Sequence, residues 1–167
     1  RMHFPGFYAM GRTLRRGRRQ SKQGARYAMT PDHALRSGGE IVAKALLAHA
    51  IDRVFTVPGE SFLPLLDALY DEHDRVQVVT CRHEHGAAMM AEAHGKLTGR
   101  PALAVVTRGP GAANAAIGVH TAFQDSTPML LLVGQVQRAL QGREAFQEVD
   151  LVRFFAPLAK HVEQVER

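Results

Sequence analysis

The sequence predicts an α/β fold: an open, mostly parallel, doubly wound sheet with helices on both faces, preceded by a disordered basic tail. Three observations carry that expectation. Short, largely apolar runs rich in Val and Leu begin at residues 54, 76, 102 and 129. The gaps between them hold segments with helical periodicity. The third run, Ala102–Val106, is apolar at every position, as expected of a strand covered on both faces. This spacing fits successive right-handed βαβ units.

The elements follow in order. Ile41–Ala50 reads as a helix, with Val42, Ala45, Leu46 and His49 at i, i+3, i+4 and i+7. Val54–Val57 reads as a strand ended by Pro58-Gly59. Ser61 is placed to cap the next helix, whose Phe62, Leu65, Leu66 and Leu69 form one apolar face. Val76–Thr80 is the second strand. Glu84–Leu97 is an Ala- and Met-rich helix closed by Gly99, with Pro101 just beyond. After the Ala102–Val106 strand, a Gly-Pro-Gly turn leads to a helix over Ala112–Phe123, and Met129–Val133 is the fourth strand. Gln137–Gln147 reads as a polar loop, Leu151–Phe155 as a short helix, and His161–Val165 as a last strand or an exit linker. The chain then stops at Arg167 without a closing element, which is expected of a fragment.

At 167 residues and 46% hydrophobic composition the chain has the size and apolar content of one folded domain. A single cysteine, Cys81, excludes an intramolecular disulfide and any multi-cysteine zinc site; at a strand end it is expected to be buried rather than nucleophilic. No uninterrupted apolar stretch exceeds that of Met129–Val133, far short of the ~20 residues of a membrane helix.

The net charge of +5 is uneven. Residues 1–29 hold eight basic residues and no acidic one, leaving 13 basic against 16 acidic residues beyond them, a net of −3. A body of that sign lacks the electrostatic footprint of a nucleic-acid binder. The aperiodic, Arg-rich tail has three readings: an organelle leader, a nucleic-acid-binding arm, or sequence upstream of a true start at Met29, which is preferred. The expected organisation is a disordered basic segment over 1–37 and a folded domain over 38–167.

In a parallel sheet the loops leaving the C-terminal strand ends share one edge, where ligands bind. Four unusual loops belong to that edge: Pro58–Ser61, Arg82–Gly86, Thr107–Gly111 and Gly134-Gln135. Their glycines let backbone approach a ligand closely. Glu84, at a helix start, lies at the favourable end of the helix dipole and is placed to accept a proton. Taken singly, the glycines also serve tight βα turns, and Glu84 also serves as a helix-terminal charge. His83 and His85 do not share a helix face and make a poor metal pair. Gly109–Asn114 is not the dinucleotide-binding pattern, because Asn114 stands where its third glycine belongs.

The runs Val54–Ser61, Arg82–Ala87, Val106–Asn114, Pro128–Val136 and Ala145–Glu148 resemble, in order, the N-terminal pyrimidine-binding domain of thiamine-diphosphate enzymes, in particular the acetolactate synthase-like branch. The resemblance covers about residues 38–163. It implies a transferase or lyase fragment of a 2-keto acid carboligase or decarboxylase, with Glu84 as the catalytic residue. That glutamate hydrogen-bonds N1′ of the cofactor's aminopyrimidine and favours the imino tautomer that removes the thiazolium C2 proton. By the same resemblance Pro58, Gly59, Thr107, Pro110, Asn114 and Gln147 border thiamine diphosphate, and Phe146, Gln147 and Lys160 line the substrate channel. Glu60-Ser61 replaces the Gly-Ala common in acetolactate synthases, adding a carboxylate near the mouth.

The family holds the diphosphate and Mg²⁺ on a separate C-terminal domain through a Gly-Asp-Gly…Asn motif, and flavin (FAD), where present, on a central domain. Neither motif nor domain occurs in this sequence, so the chain is expected to supply half of an active site and to be inactive alone. A cytoplasmic homo-oligomer, dimer or tetramer, without nucleic-acid or membrane partners is expected, with a non-catalytic dimerising module as the alternative.

Overall fold

The computed structural model describes residues 36–165. The basic tail, with the disorder expected of it, lies outside the described residues.

Four strands form one parallel sheet: β1 (Arg53–Thr56), β2 (Gln77–Thr80), β3 (Ala102–Thr107) and β4 (Met129–Gly134), in the spatial order β2-β1-β3-β4. The chain builds outward from β1 to β2, then crosses back to start β3 on the other side of β1. The crevice between the C-terminal ends of β1 and β3 is therefore the topological switch point of the sheet.

The helices divide between the two faces as the strand alternation requires. Leu103 and Val105 of β3 pack with Leu46 of α1 (Gly38–Ala48) and Leu65 and Leu69 of α2 (Leu63–Asp71). Ala102, Ala104 and Val106, pointing the other way, meet Ala88 and Ala91 of α3 (Glu84–Thr98) and Ala115 of α4 (Arg108–Gln124). All five positions from Ala102 to Val106 are fully buried, as the unbroken apolar run requires. The fifth helix, α5 (Leu151–Phe155), closes over Val119 of α4 through Phe155.

Several boundaries differ from the sequence reading, each for a local reason. Helix α1 starts at Gly38 because Ser37 and Glu40 form a capping box: Ser37 Oγ accepts from the Glu40 N–H at 3.2 Å, and Glu40 Oε2 accepts from the Ser37 N–H at 2.6 Å. Those contacts hold the Glu40 carboxyl below its ordinary pKa, the Ser37 backbone N–H contributing most. The same helix ends at Ala48, and Ala50 takes a positive φ of 55° while the Ile51 N–H returns to Leu46 O at 2.9 Å.

Ser61 does not cap α2; it sits in a short 3₁₀ turn, Glu60–Phe62, and its hydroxyl shares a hydrogen bond with Thr107 at 2.6 Å. Gly109-Pro110-Gly111 is not a turn before a helix but the first turn of α4, where proline is tolerated because those N–H groups have no intrahelical acceptor. His161–Val165 forms no strand and extends as irregular chain. Gly99 ends α3 as expected, at φ 68° with its N–H on Gly95 O at 2.8 Å. Cys81 is half-buried rather than buried. Burial pushes its thiol pKa up, against a smaller opposing pull from the backbone bond to Thr56.

Candidate functional site

The two loops at the switch point interlock through absent side chains. A Cβ on Gly59, after β1, would lie 2.7 Å from Thr107 Cβ, at the end of β3. A Cβ on Gly134, at the end of β4, would lie 2.1 Å from Ser61 Oγ. The ends of β1, β3 and β4 thus converge on the Ser61–Thr107 hydrogen bond. Only glycine permits that approach at either position.

Beside this floor stands Glu84, the first residue of α3. His83 caps the helix, its Nδ1 accepting from the His85 N–H at 3.2 Å, which gives that histidine a structural task. Among the described residues no group of three or more acidic, histidine or cysteine side chains could hold a metal ion.

Glu84 is half-buried, and its Oε2 accepts a hydrogen bond from Asn114 Nδ2 at 3.0 Å. Two close helices make that bond: a Cβ on Gly118 of α4 would lie 2.5 Å from Ala88 Cβ of α3. Asn114 stands one helical turn before Gly118, and Glu84 one turn before Ala88, so the same close packing fixes both. A Cβ on Gly111 would lie 3.5 Å from Glu84 Oε1. The Glu84 oxygen that Asn114 does not bind lies beside Gly111. That oxygen is an acceptor, which is what a protonated ring nitrogen needs.

The remaining candidates fall into two groups. The Gln147 carbonyl, on a residue at φ 64°, accepts from the Gly109 N–H at 2.9 Å and so reaches the first turn of α4 beside Pro110. That bond occupies an N–H that a phosphate would otherwise use. Pro58 is exposed at the start of the same crevice. Phe146, next to Gln147, is 76% exposed. Lys160 lines an apolar groove along β4 with Leu151 and Phe155; the groove reaches Ser61 and Gly134 at the crevice floor, but its lining includes neither Glu84 nor Asn114.

One feature of the crevice escaped the sequence reading. Arg108 Nη1 pairs with Glu60 Oε1 at 2.9 Å, joining the β1 and β3 loops across the switch point. Nothing in the sequence pairs these two residues until the strand order is known. Gln135 supports the rim instead of facing the crevice: its Nε2 donates to Val149 O at 3.1 Å.

Residues 36–154 match the family described as "Thiamine pyrophosphate enzyme, N-terminal TPP binding domain". The chain belongs to that family. It is 42% identical over 130 residues to the probable acetolactate synthase large subunit of Methanocaldococcus jannaschii, covering 78% of this chain and 22% of that protein. It is 40% identical over 129 residues to the acetolactate synthase large subunit of Lactococcus lactis subsp. lactis, covering 77% of this chain and 22% of the relative. The isozyme 3 large subunit of Escherichia coli is 41% identical over 125 residues, covering 75% and 22% respectively. The chain spans about a fifth of the length of these curated relatives. It is a thiamine pyrophosphate-binding N-terminal domain of the acetolactate synthase-like kind. No helix among the described residues is long and apolar enough to cross a membrane.

Proposed function

We infer that this chain provides the aminopyrimidine half of a thiamine diphosphate site, with Glu84 as the residue that controls the proton on N1′. The observation that carries this reading is the Glu84 carboxylate: one oxygen anchored by Asn114 at 3.0 Å, the other beside Gly111. A carboxylate held by one donor keeps its second oxygen aimed, so no rotamer search is needed before it meets a ring N–H. Thiamine diphosphate, when bound, supplies an electron sink for cleaving the bond beside a 2-keto group. Glu84 Oε1 accepts a hydrogen bond from N1′ and holds that proton in place, Asn114 fixes the carboxylate, and Gly59 and Thr107 shape the floor. Pro58, Pro110 and Gln147 form the walls. Phe146, Gln147 and Lys160 are assigned to a substrate channel on resemblance alone.

The substrate of the assembled enzyme is a small 2-keto acid, in keeping with the names of the relatives. The diphosphate and its Mg²⁺, and FAD where a member uses it, belong to domains outside this sequence. The folded domain over 38–167 is therefore half of a site in a cytoplasmic homo-oligomer. Acetolactate formation is not expected from the chain alone.

The test is hydrogen–deuterium exchange at C2 of bound cofactor, in an enzyme in which this domain is joined to a diphosphate-binding domain. Glu84→Gln keeps the shape and removes the charge, and should slow exchange by ~10²–10⁴-fold, the range for one general acid–base group. Unchanged exchange would reduce Glu84 to a helix-terminal charge.

A further inference from the structure

Arg108 is unusual in three independent ways. Its backbone adopts φ 32°, in the left-handed region that a residue with a side chain enters only at a cost, and it does so at the mouth of the crevice. Its side chain is only 17% exposed, whereas the ion-paired Arg53, Arg75 and Arg100 are all more than twice as exposed. Its Nε is buried and has no hydrogen-bond partner among the described residues. A guanidinium offers five donors in a rigid fork matched to a carboxylate, and here one buried donor of that fork is idle.

The partner it does have is the opposite in character. Glu60 is 73% exposed, on the short turn directly after Gly59, and pairs through a single 2.9 Å contact with Nη1. An exposed glutamate can leave that contact without exposing any core. The arginine cannot leave, because its backbone starts α4 and its side chain is covered. Glu60 and Arg108 directly follow Gly59 and Thr107, the two residues that close the crevice floor.

We propose that Arg108 is a specificity-determining residue that receives the carboxylate of a small acidic substrate, and that Glu60 is a placeholder which that carboxylate displaces. The exchange swaps one carboxylate for another on the same cation, so the guanidinium is never left without a counter-charge. A carboxylate that takes Glu60's place on Nη1 gains a bidentate approach by bridging Nη1 and Nη2, and the buried Nε–H of the same guanidinium reports the change. A carboxylate held this way keeps its full charge, which suits the acid whose carboxylate survives the reaction better than one that leaves as carbon dioxide. The proposal rests on the reading of the crevice given above for its location, but not for its chemistry.

The test uses the 167-residue chain labelled with ¹⁵N-arginine, with the Arg108 Nε–H signal assigned by its loss in Arg108→Lys. Pyruvate should move that signal saturably, and butane-2,3-dione, its neutral analogue, should not. Glu60→Gln, a change at an exposed position, removes the competing carboxylate and should tighten pyruvate binding by roughly tenfold. No pyruvate response, an equal response to the dione, or unchanged affinity in Glu60→Gln would each overturn the proposal. Thiamine diphosphate added to the same sample separates the two readings. A response to the cofactor at the Asn114 side chain without a response to pyruvate at Arg108 overturns only the carboxylate site. An Arg108 response to pyruvate without any response to the cofactor supports the carboxylate site and counts against the cofactor reading.

Discussion

The two faces of the sheet are packed with different materials. Against α1 and α2 the core is made of large side chains, with Leu46, Leu65, Leu69, Val54, Leu103 and Val105 all buried. Against α3 and α4 most buried positions are alanine: Ala88, Ala91, Ala102, Ala104 and Ala115 beside Val106, with Phe55, Met129, Leu131 and Val133 packed around them and Gly95 and Gly118 at close backbone approaches. Large side chains bury more apolar area per residue, so the first face carries more of the stability. Small ones bring backbones together, so the second face holds Glu84 and Asn114 within a hydrogen bond of each other. Stability and site geometry are thus assigned to opposite sides of one strand.

The comparison is sharpened most by the substitution with the largest expected effect. Leu103→Ala removes a fully buried side chain from the large-residue face and should cost about 2–5 kcal/mol in urea unfolding. The Asn114 side-chain amide signals should stay where they are. Movement of those signals would mean the faces are not independent.

The complementary change is Gly118→Val on the small-residue face. Any Cβ there meets the Ala88 backbone, at 2.8 Å from its carbonyl carbon, so α3 and α4 must separate. The expected cost is about 1–3 kcal/mol, smaller than for Leu103→Ala. Here the Asn114 signals should shift, reporting a lost bond to Glu84. A stability loss with Asn114 unmoved would break the assignment of site geometry to this face.

The smallest effect concerns the loop that braces α4 through Gly109. Glu148 accepts from the backbone N–H groups of Gly142 and Ala145, and these bonds, Gly142 first, hold its carboxyl below the ordinary glutamate pKa. A depressed pKa means the contribution is present at neutral pH and is lost only as pH falls through that lowered value. The protection factors of the Gly142 and Ala145 amides, corrected for the intrinsic pH dependence of exchange, should therefore fall on acidification with a midpoint below the ordinary glutamate pKa. Glu148→Gln should remove that pH dependence.

Much of this was legible in the sequence because it is local. Ala102–Val106 announced a doubly covered strand by having no polar position, and Gly99 announced the end of α3. The five motifs quoted above were enough to place the chain in its family. The misses were of two kinds. The Ser37/Glu40 capping box is spelled by the Ser-x-x-Glu pattern, but it precedes the apolar stripe, which begins only at Ile41. The others depend on strand order. That β1 lies beside β3 is not written in any single segment, and it alone brings Ser61 to Thr107 and Glu60 to Arg108. The same holds for Gly109-Pro110-Gly111: its helical state is supported by the Gln147 carbonyl, 38 positions further along the chain.

The central claim, that the small-residue face presents Glu84 to an aminopyrimidine, is tested most directly on the chain itself. Thiamine diphosphate titrated at millimolar concentration into ¹⁵N-labelled protein should shift the amides of Gly59, Thr107 and Gly111 and the side chain of Asn114. The response should disappear in Glu84→Gln while the rest of the spectrum is unchanged. Shifts that persist in Glu84→Gln, or that fall instead along the β4 groove around Leu151 and Lys160, would contradict the account.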